Sequence, residues 1–469
     1  MEILNALHKH TKQSPLSFHV PGHKNGHLFQ NERVFQKIGK YDVTELNHMD
    51  DLYDPQEFLK EALDKTSNYY GTDHTYFLVN GSTVGNLISI LATVKRGQKV
   101  FVQRNCHKSV FHGLELASAQ PIILPVEICK ETNIPIGIDI KKSKDIIKEH
   151  DGVAVILTYP NYYGHTVAIQ EVIDEAHKQG MPVIVDEAHG AHFKLPFKNI
   201  PDSSINLGAD LVVQSAHKTL PALTMGSFLH IRSDIVQPEK IEKYLHILQT
   251  SSPSYLIMAS LDYAVDYLQS YSKIDEEEVF RGIQAIQKAI KSHKKLSIVS
   301  TAYKTDPYKV LVKGENISGY QLQKLFDKEG IYTELANENY VLFVLGLLVY
   351  SDFQETAKEL ERRLKNVEWE NEKSEYHPMV LIDEFSSSIP YSYEELEEME
   401  IVKSNLNDAV GKVSAAHIIP YPPGIPIPMK GEVIIQEHID YVKSILENGG
   451  KIQGFTKEDD MEIVVYQNS

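Results

Sequence analysis

Five short apolar runs, each passing without a spacer into a cluster of polar and reactive residues, constrain this chain more than any other feature. FLV (77–79) leads into NGST, KVFV (99–102) into RNCHKS and VAVIL (153–157) into TYPNYYG. PVIV (182–185) leads into DEAHGAH, and DLVV (210–213) into QSAHK. None alternates apolar with polar residues, so each suits a strand covered on both faces, as in a parallel sheet. Open α/β sheets bind ligands beyond the carboxyl ends of their strands. Polar clusters repeated at that end of successive strands therefore imply one shared site.

The stretches between the runs carry helical signals. Val84, Leu87, Ile88 and Leu91 fall on one helical face that Gly97 ends, and Ile169, Val172, Ile173 and Ala176 make another that Gly180 ends. The second, set between two strands, predicts a right-handed βαβ unit. GSFLHI (226–231) follows Lys218 too closely for a crossover and is expected as an antiparallel neighbour.

Each cluster offers particular chemistry. Lys218, at a strand end beside His217, is a candidate for Schiff-base formation, although a lysine opening a helix is also commonplace. Ser82 and Thr83 lie at a helix N-terminus, where free N–H groups and the dipole favour an anion such as a phosphate. A simple capping role for Ser82 is the plainer alternative. His107, Asp186 and His189 are placed on the same edge.

The chain's 64 acidic residues outnumber its 47 basic ones, a net charge of −17 that argues against a nucleic-acid surface or a polybasic membrane patch. Two cysteines, Cys106 and Cys129, cannot build a disulfide framework, so a reducing, cytoplasmic setting is expected. No signal peptide is recognised, and the longest apolar run, 340–350, is too short to span a bilayer as a helix.

Three regions are expected: an N-terminal arm (1–55) with His19, His23 and Lys24 in a glycine–proline loop, a large α/β domain (56–250) and a smaller α+β domain (251–469). The smaller one should contain strands at 308–313, 340–346 and 461–466, with helices near 319–329 and 353–366. Its rigid loop IPYPPGIPIPMKGE (419–432) ends at Glu432, which could face a ligand.

The chain has 21 histidines, and HGAH (189–192) resembles a ligand pair. No HExxH or CxxC accompanies it, so no catalytic metal is expected. Pyridoxal 5′-phosphate (PLP) uses more of the residues: it needs a lysine, a carboxylate for its ring nitrogen, a phosphate cup and packing for its ring. Lys218, Asp186, Ser82 with Thr83, and His107 supply these.

PGHKNG, VNGSTVGN, RNCHKSV, VDEAHGAHF, QSAHKTLPALT, SPSY (252–255) and PYPPGIP, in that order, give the chain its likeness to a known family. It resembles the group I Orn/Lys/Arg decarboxylases of the aspartate-aminotransferase fold type over nearly its whole length. The resemblance implies a PLP-dependent transferase-like large domain and decarboxylation of arginine, lysine or ornithine to agmatine or a diamine. It implies Lys218 as the cofactor lysine, Asp186 on the ring nitrogen and His107 stacked on the ring. Ser82, Thr83, Ser215 and His217 would serve the phosphate, and Ala188 and His189 would line the ring. Lys218 or His107 would return a proton to the α-carbon. A homodimer is implied, with SPSY reaching the partner's cofactor.

Ala216 departs from the usual threonine, and Lys430-Gly431-Glu432 from the usual PGE. The N-terminal wing of longer relatives is not recognised, so a decamer built through it is not expected. Glu432 is the carboxylate expected to read the substrate's distal cation. An aminotransferase on the same fold and a non-catalytic PLP carrier remain the alternatives.

Overall fold

The structure is a computed structural model describing residues 1–13, 21, 24–29, 32–369, 388–420, 424–455 and 461–467. His19 and His23 lie outside the described residues.

The apolar runs become strands β1 (His74–Leu78), β2 (Lys99–Gln103), β4 (Val155–Thr158), β5 (Val183–Asp186) and β6 (Leu211–Gln214). Two further strands, β3 (Gln120–Leu124) and β7 (Ser227–Ile231), complete a seven-stranded sheet in the order β1-β7-β6-β5-β4-β2-β3. Only β7 is reversed. It runs antiparallel to both β6 and β1, so β1 points the same way as β6. The carboxyl ends of β1, β2, β4, β5 and β6 therefore share one edge.

The lack of polar alternation has the expected cause. All four residues of β5 and of β6 are buried. Val183 and Val185 enter one core with Phe77, Phe101 and Leu157, while Ile184 enters a second with Val100, Val102 and Ile156 on the other face. The helix Gly81–Thr93 closes on the sheet through Gly85, where a Cβ would come within 2.7 Å of Leu78 and Val213 side-chain atoms. That helix stops at Thr93, so Gly97 (φ +75°) shapes the following turn rather than capping it.

The N-terminal segment is more than an arm. Its helix Glu2–Lys12 buries Ile3 and Leu7, and Ile3 N–H donates to Asp262 Oδ2 (3.1 Å) on the helix Tyr255–Tyr271. Lys65, on the helix Phe58–Tyr70, reaches Asp266 of the same long helix at 2.8 Å. Residues 255–271 thus pack with the N-terminal helices.

A second sheet is antiparallel throughout: β8 (Leu296–Val299), β9 (Lys309–Gly314), β10 (Leu335–Ala336) and β11 (Val341–Val344), in the order β8-β9-β11-β10. The expected strand near 461–466 does not join it. Glu462–Tyr466 pairs with Ile401–Asn405 around a separate core of Leu406, Ile418, Ile434, Ile439 and Ile463. Among the described residues no helix is long and apolar enough to cross a membrane.

Candidate active site

A cleft opens at the shared edge of the large sheet. It is lined by Ser82, Asn105, His107, Pro135, Thr158, Asn161, Tyr162, Tyr163, Asp186, Ala188, His189, Lys218 and Ile425. Its empty space, open solvent included, is about 640 Å³.

Asp186 ends β5 and is 4% exposed. Its Oδ2 accepts from Asn86 Nδ2 (2.9 Å) and its Oδ1 from Ala188 N–H (3.1 Å). Asn86 sits on the buried face of the helix Gly81–Thr93 and also donates to Ser109 Oγ (2.9 Å). Ser109 Oγ is 2.9 Å from His107 Nδ1, which also accepts from Ser109 N–H (3.3 Å) at the start of the helix Lys108–Leu116. With Nδ1 accepting, neutral His107 carries its hydrogen on Nε2. Burial lowers its pKa to about 4, against the opposing pull of Asp186 and with a contribution from Lys218, so the ring is neutral at neutral pH.

Lys218 follows β6 in the short helix Ala216–Thr219. Burial lowers its pKa, while Asp186 and Glu334 act in the opposite direction. Its Nζ is 3.0 Å from His189 Nε2 and 5.8 Å from the centroid of the Tyr162 ring. His189 is held well below its ordinary pKa by burial and by Lys218 and Lys309.

The cleft brings together Ser82, His107, Asp186, Ala188, His189 and Lys218. Ser215 lies behind it, its Oγ donating to Ser82 Oγ at 2.7 Å. Thr83 is exposed on the first helical turn, and His217 pairs with Gly226 O (3.1 Å); neither lines the cleft.

The expectation for Glu432 is corrected. The residue is 0% exposed and does not line the cleft; its carboxylate is taken by Arg104 (3.0 Å) and by Met429 N–H (2.8 Å). A carboxylate held by a guanidinium and a backbone donor, shut off from solvent and outside the cleft lining, is out of a substrate's reach. The rigid loop contributes Ile425 instead, anchored where Lys108 N–H donates to Gly424 O (3.1 Å). SPSY is also used within the chain: Ser254 caps the helix Tyr255–Tyr271 and Tyr255 is fully buried.

Several residues were missed. Asn86 carried a signal, a polar side chain within an otherwise apolar helical face. Tyr162 and Asn161 lay in a cluster already recognised as a strand end. Lys309 carried no signal, because it arrives from β9 in the second sheet.

The donor set fits PLP: a half-buried lysine, a buried carboxylate fixed by two N–H donors, and a serine at a helix N-terminus share one cleft. Among the described residues no group of three or more His, Cys, Asp or Glu side chains could hold a metal ion.

The family profile for the Orn/Lys/Arg decarboxylase major domain matches residues 2–310, and that for the family's C-terminal domain matches residues 384–462. The chain belongs to the Orn/Lys/Arg decarboxylase family. Among its relatives is the uncharacterized protein YaaO of Bacillus subtilis, 38% identical over 99% of this chain and 98% of that one. An arginine decarboxylase of Bacillus subtilis is 30% identical over 96% and 95% of the two chains. The solved constitutive lysine decarboxylase of Escherichia coli shares the fold, with a TM-score of 0.80 at 19% identity over 99% of this chain and 82% of that one. Membership indicates a carboxy-lyase with a fold type I large domain and a smaller C-terminal domain.

Proposed function

We propose that the chain decarboxylates a basic amino acid, arginine, lysine or ornithine, with pyridoxal 5′-phosphate held in this cleft. The observation that carries the reading is Lys218 and Asp186 in one buried cleft, with Ser82 at a helix N-terminus beside them. Lys218 would hold the cofactor's aldehyde carbon, Asp186 its ring nitrogen, and Ser82, backed by Ser215, its phosphate. Ala188, His189 and His107 would border its ring. When bound, the group supplies an electron sink for the pair left as the carboxylate departs.

The protein's own residues do the rest. Asp186 presents a fixed negative charge in a site shielded from water, where it acts more strongly than in solution. His107 at Nε2–H, or Lys218 once it carries a proton as an ammonium, would return a proton to the α-carbon.

With Glu432 occupied, Glu334 is the carboxylate proposed to read the distal cation. Its Oε1 accepts from the cleft-lining Tyr162 hydroxyl at 2.6 Å, and its charge acts on Lys218, Lys309 and His217. The relatives named arginine decarboxylases favour arginine among the substrates.

A homodimer is proposed as well. Thr250 N–H donates to Asn80 Oδ1 (3.3 Å), which sets exposed Ser251 and Ser252 beside the Ser82 helix N-terminus, where a second chain could meet them.

The test supplies arginine, lysine and ornithine in turn and follows carbon dioxide, amine and keto acid. Carbon dioxide and amine in equal amounts, without keto acid, are expected; no carbon dioxide from any of the three would reject the reading. Glu334→Gln should raise KM for the preferred substrate about tenfold or more, the weight of a charge-assisted contact. An unchanged KM would place the cation reader elsewhere.

A further inference from the structure

In the wall of the cleft, His189 stands between Lys218, on the short helix after β6, and Lys309, on β9 of the second sheet. Its Nε2 is 3.0 Å from Lys218 Nζ and its Nδ1 is 3.1 Å from Lys309 Nζ. His189 is 6% exposed and Lys309 is 7% exposed. Lys309 does not line the cleft, and its amine meets the imidazole at the nitrogen opposite the one that faces Lys218.

Counting donors limits what this triad can be. A neutral imidazole has one N–H and one lone pair, while an ammonium group only donates. Two ammonium groups would set one N–H against another N–H. An imidazolium would donate at both ends, but burial between two lysines disfavours that charge. The geometry is satisfied when one lysine is an ammonium and the other a free amine. Swapping the imidazole tautomer exchanges the two.

We infer that Lys309 is a positioning residue that, through His189, takes the proton Lys218 must lose before it can attack a carbonyl carbon. Lys218 gives a proton to His189 Nε2 as Nδ1–H passes its own to the Lys309 amine. Lys218 is left as a free amine accepting from Nε2–H, and Lys309 as an ammonium donating to Nδ1. No proton enters or leaves the triad.

The surroundings suit both ends. Lys309 N–H donates to Asp306 O (3.0 Å), and the Asp306 carboxylate is buried beside it, its Oδ1 3.1 Å from His192 Nε2 and its Oδ2 without a hydrogen-bond partner. That negative charge stabilises Lys309 once protonated. Burial brings the Lys309 pKa down to about 8, opposed by Asp306 and Glu334 and assisted by Lys218, so the amine gains and loses a proton near neutrality. Asp186 and Glu334 act on Lys218, and His107 and His217 join the two lysines in acting on His189. Tyr162 packs on His189 with ring centroids 4.4 Å apart.

The inference rests on the proposed role of Lys218, but its test needs no turnover. Full-length protein freed of cofactor is labelled with acetic anhydride across a pH series, and the Lys218 peptide is quantified by mass spectrometry. Lys309→Met removes the acceptor and the neighbouring cation, so the Lys218 labelling midpoint should rise by about one pH unit or more. Lys309→Arg is a permanent donor to Nδ1, which fixes Nε2–H and requires Lys218 as a free amine; its midpoint should fall below that of the wild type. Opposite shifts support the relay. Unchanged midpoints, or shifts in the same direction, overturn it, and a decarboxylase would still be a decarboxylase. Folding is checked by circular dichroism. Should the methionine variant not fold, the arginine variant decides, since a midpoint at or above the wild-type value contradicts the relay.

Discussion

Asp186 accepts a side-chain amide on one oxygen and a backbone N–H on the other, so an asparagine in its place keeps one of the two acceptors and loses the charge. Asp186→Asn should therefore fold with stability lowered by about 1–3 kcal/mol, while kcat falls at least about a hundredfold, the usual cost of removing a charge-stabilising group. Near-normal turnover would remove Asp186 from the chemistry. Asp186, Lys218, His107, Ser82 and His189 were legible because each lies at or within a few residues of a strand's carboxyl end, where a polar cluster has a functional reading before any contact is known. Lys309 was not. It belongs to a strand of ordinary pattern, and only packing of the second sheet against the first places its amine on His189. Glu432 was misread because a carboxylate after a rigid loop looks available until Arg104, 328 residues away in sequence, is seen to hold it.

Arg104 and Glu432 join two elements that sequence treats separately, the turn after β2 and the proline-rich loop. The side chains are 3% and 1% exposed, and Arg104 also donates to Pro426 O at 2.8 Å, next to cleft-lining Ile425. Breaking one side of a buried pair costs about 3–5 kcal/mol because the other charge stays buried. Glu432→Gln should therefore lower thermal stability and weaken turnover of every substrate alike, with no change in preference among them. A change of preference with unaltered stability would restore Glu432 as a reader of substrate. The strands of the large sheet were legible from their unbroken apolar runs and glycine-ended helices. Edge strand β3 was not, with four of its five residues only partly buried and no reactive cluster following it. The partner of Glu462–Tyr466 was equally hidden, because strand pairing is set by tertiary packing rather than by the pattern of either strand.

At the scale of the whole molecule, burial keeps histidines neutral in every part of the fold. The pKa falls to about 4 at His107 and His165 and to about 3 at His230, His417 and His438, with desolvation the leading cause in each. His189 lies well below its ordinary value for the same reason. In the unfolded chain each returns to about 6.5. Between these values the unfolded state binds more protons than the folded one, so stability is held above about pH 6.5 and lost as pH falls toward 4. Buried Glu187, raised to about 7, and Glu338, raised to about 6, act with the opposite sign. They are two groups against six, with smaller shifts than the deepest histidines, so the histidine effect prevails. Because those histidines occupy the large sheet, its loops and the C-terminal unit, acid should weaken the molecule throughout. Urea unfolding at about pH 7.5, 6 and 5 should give a midpoint that falls at each step. A midpoint that stays level or rises on acidification would mean that these rings are already charged, or solvated, in the folded protein.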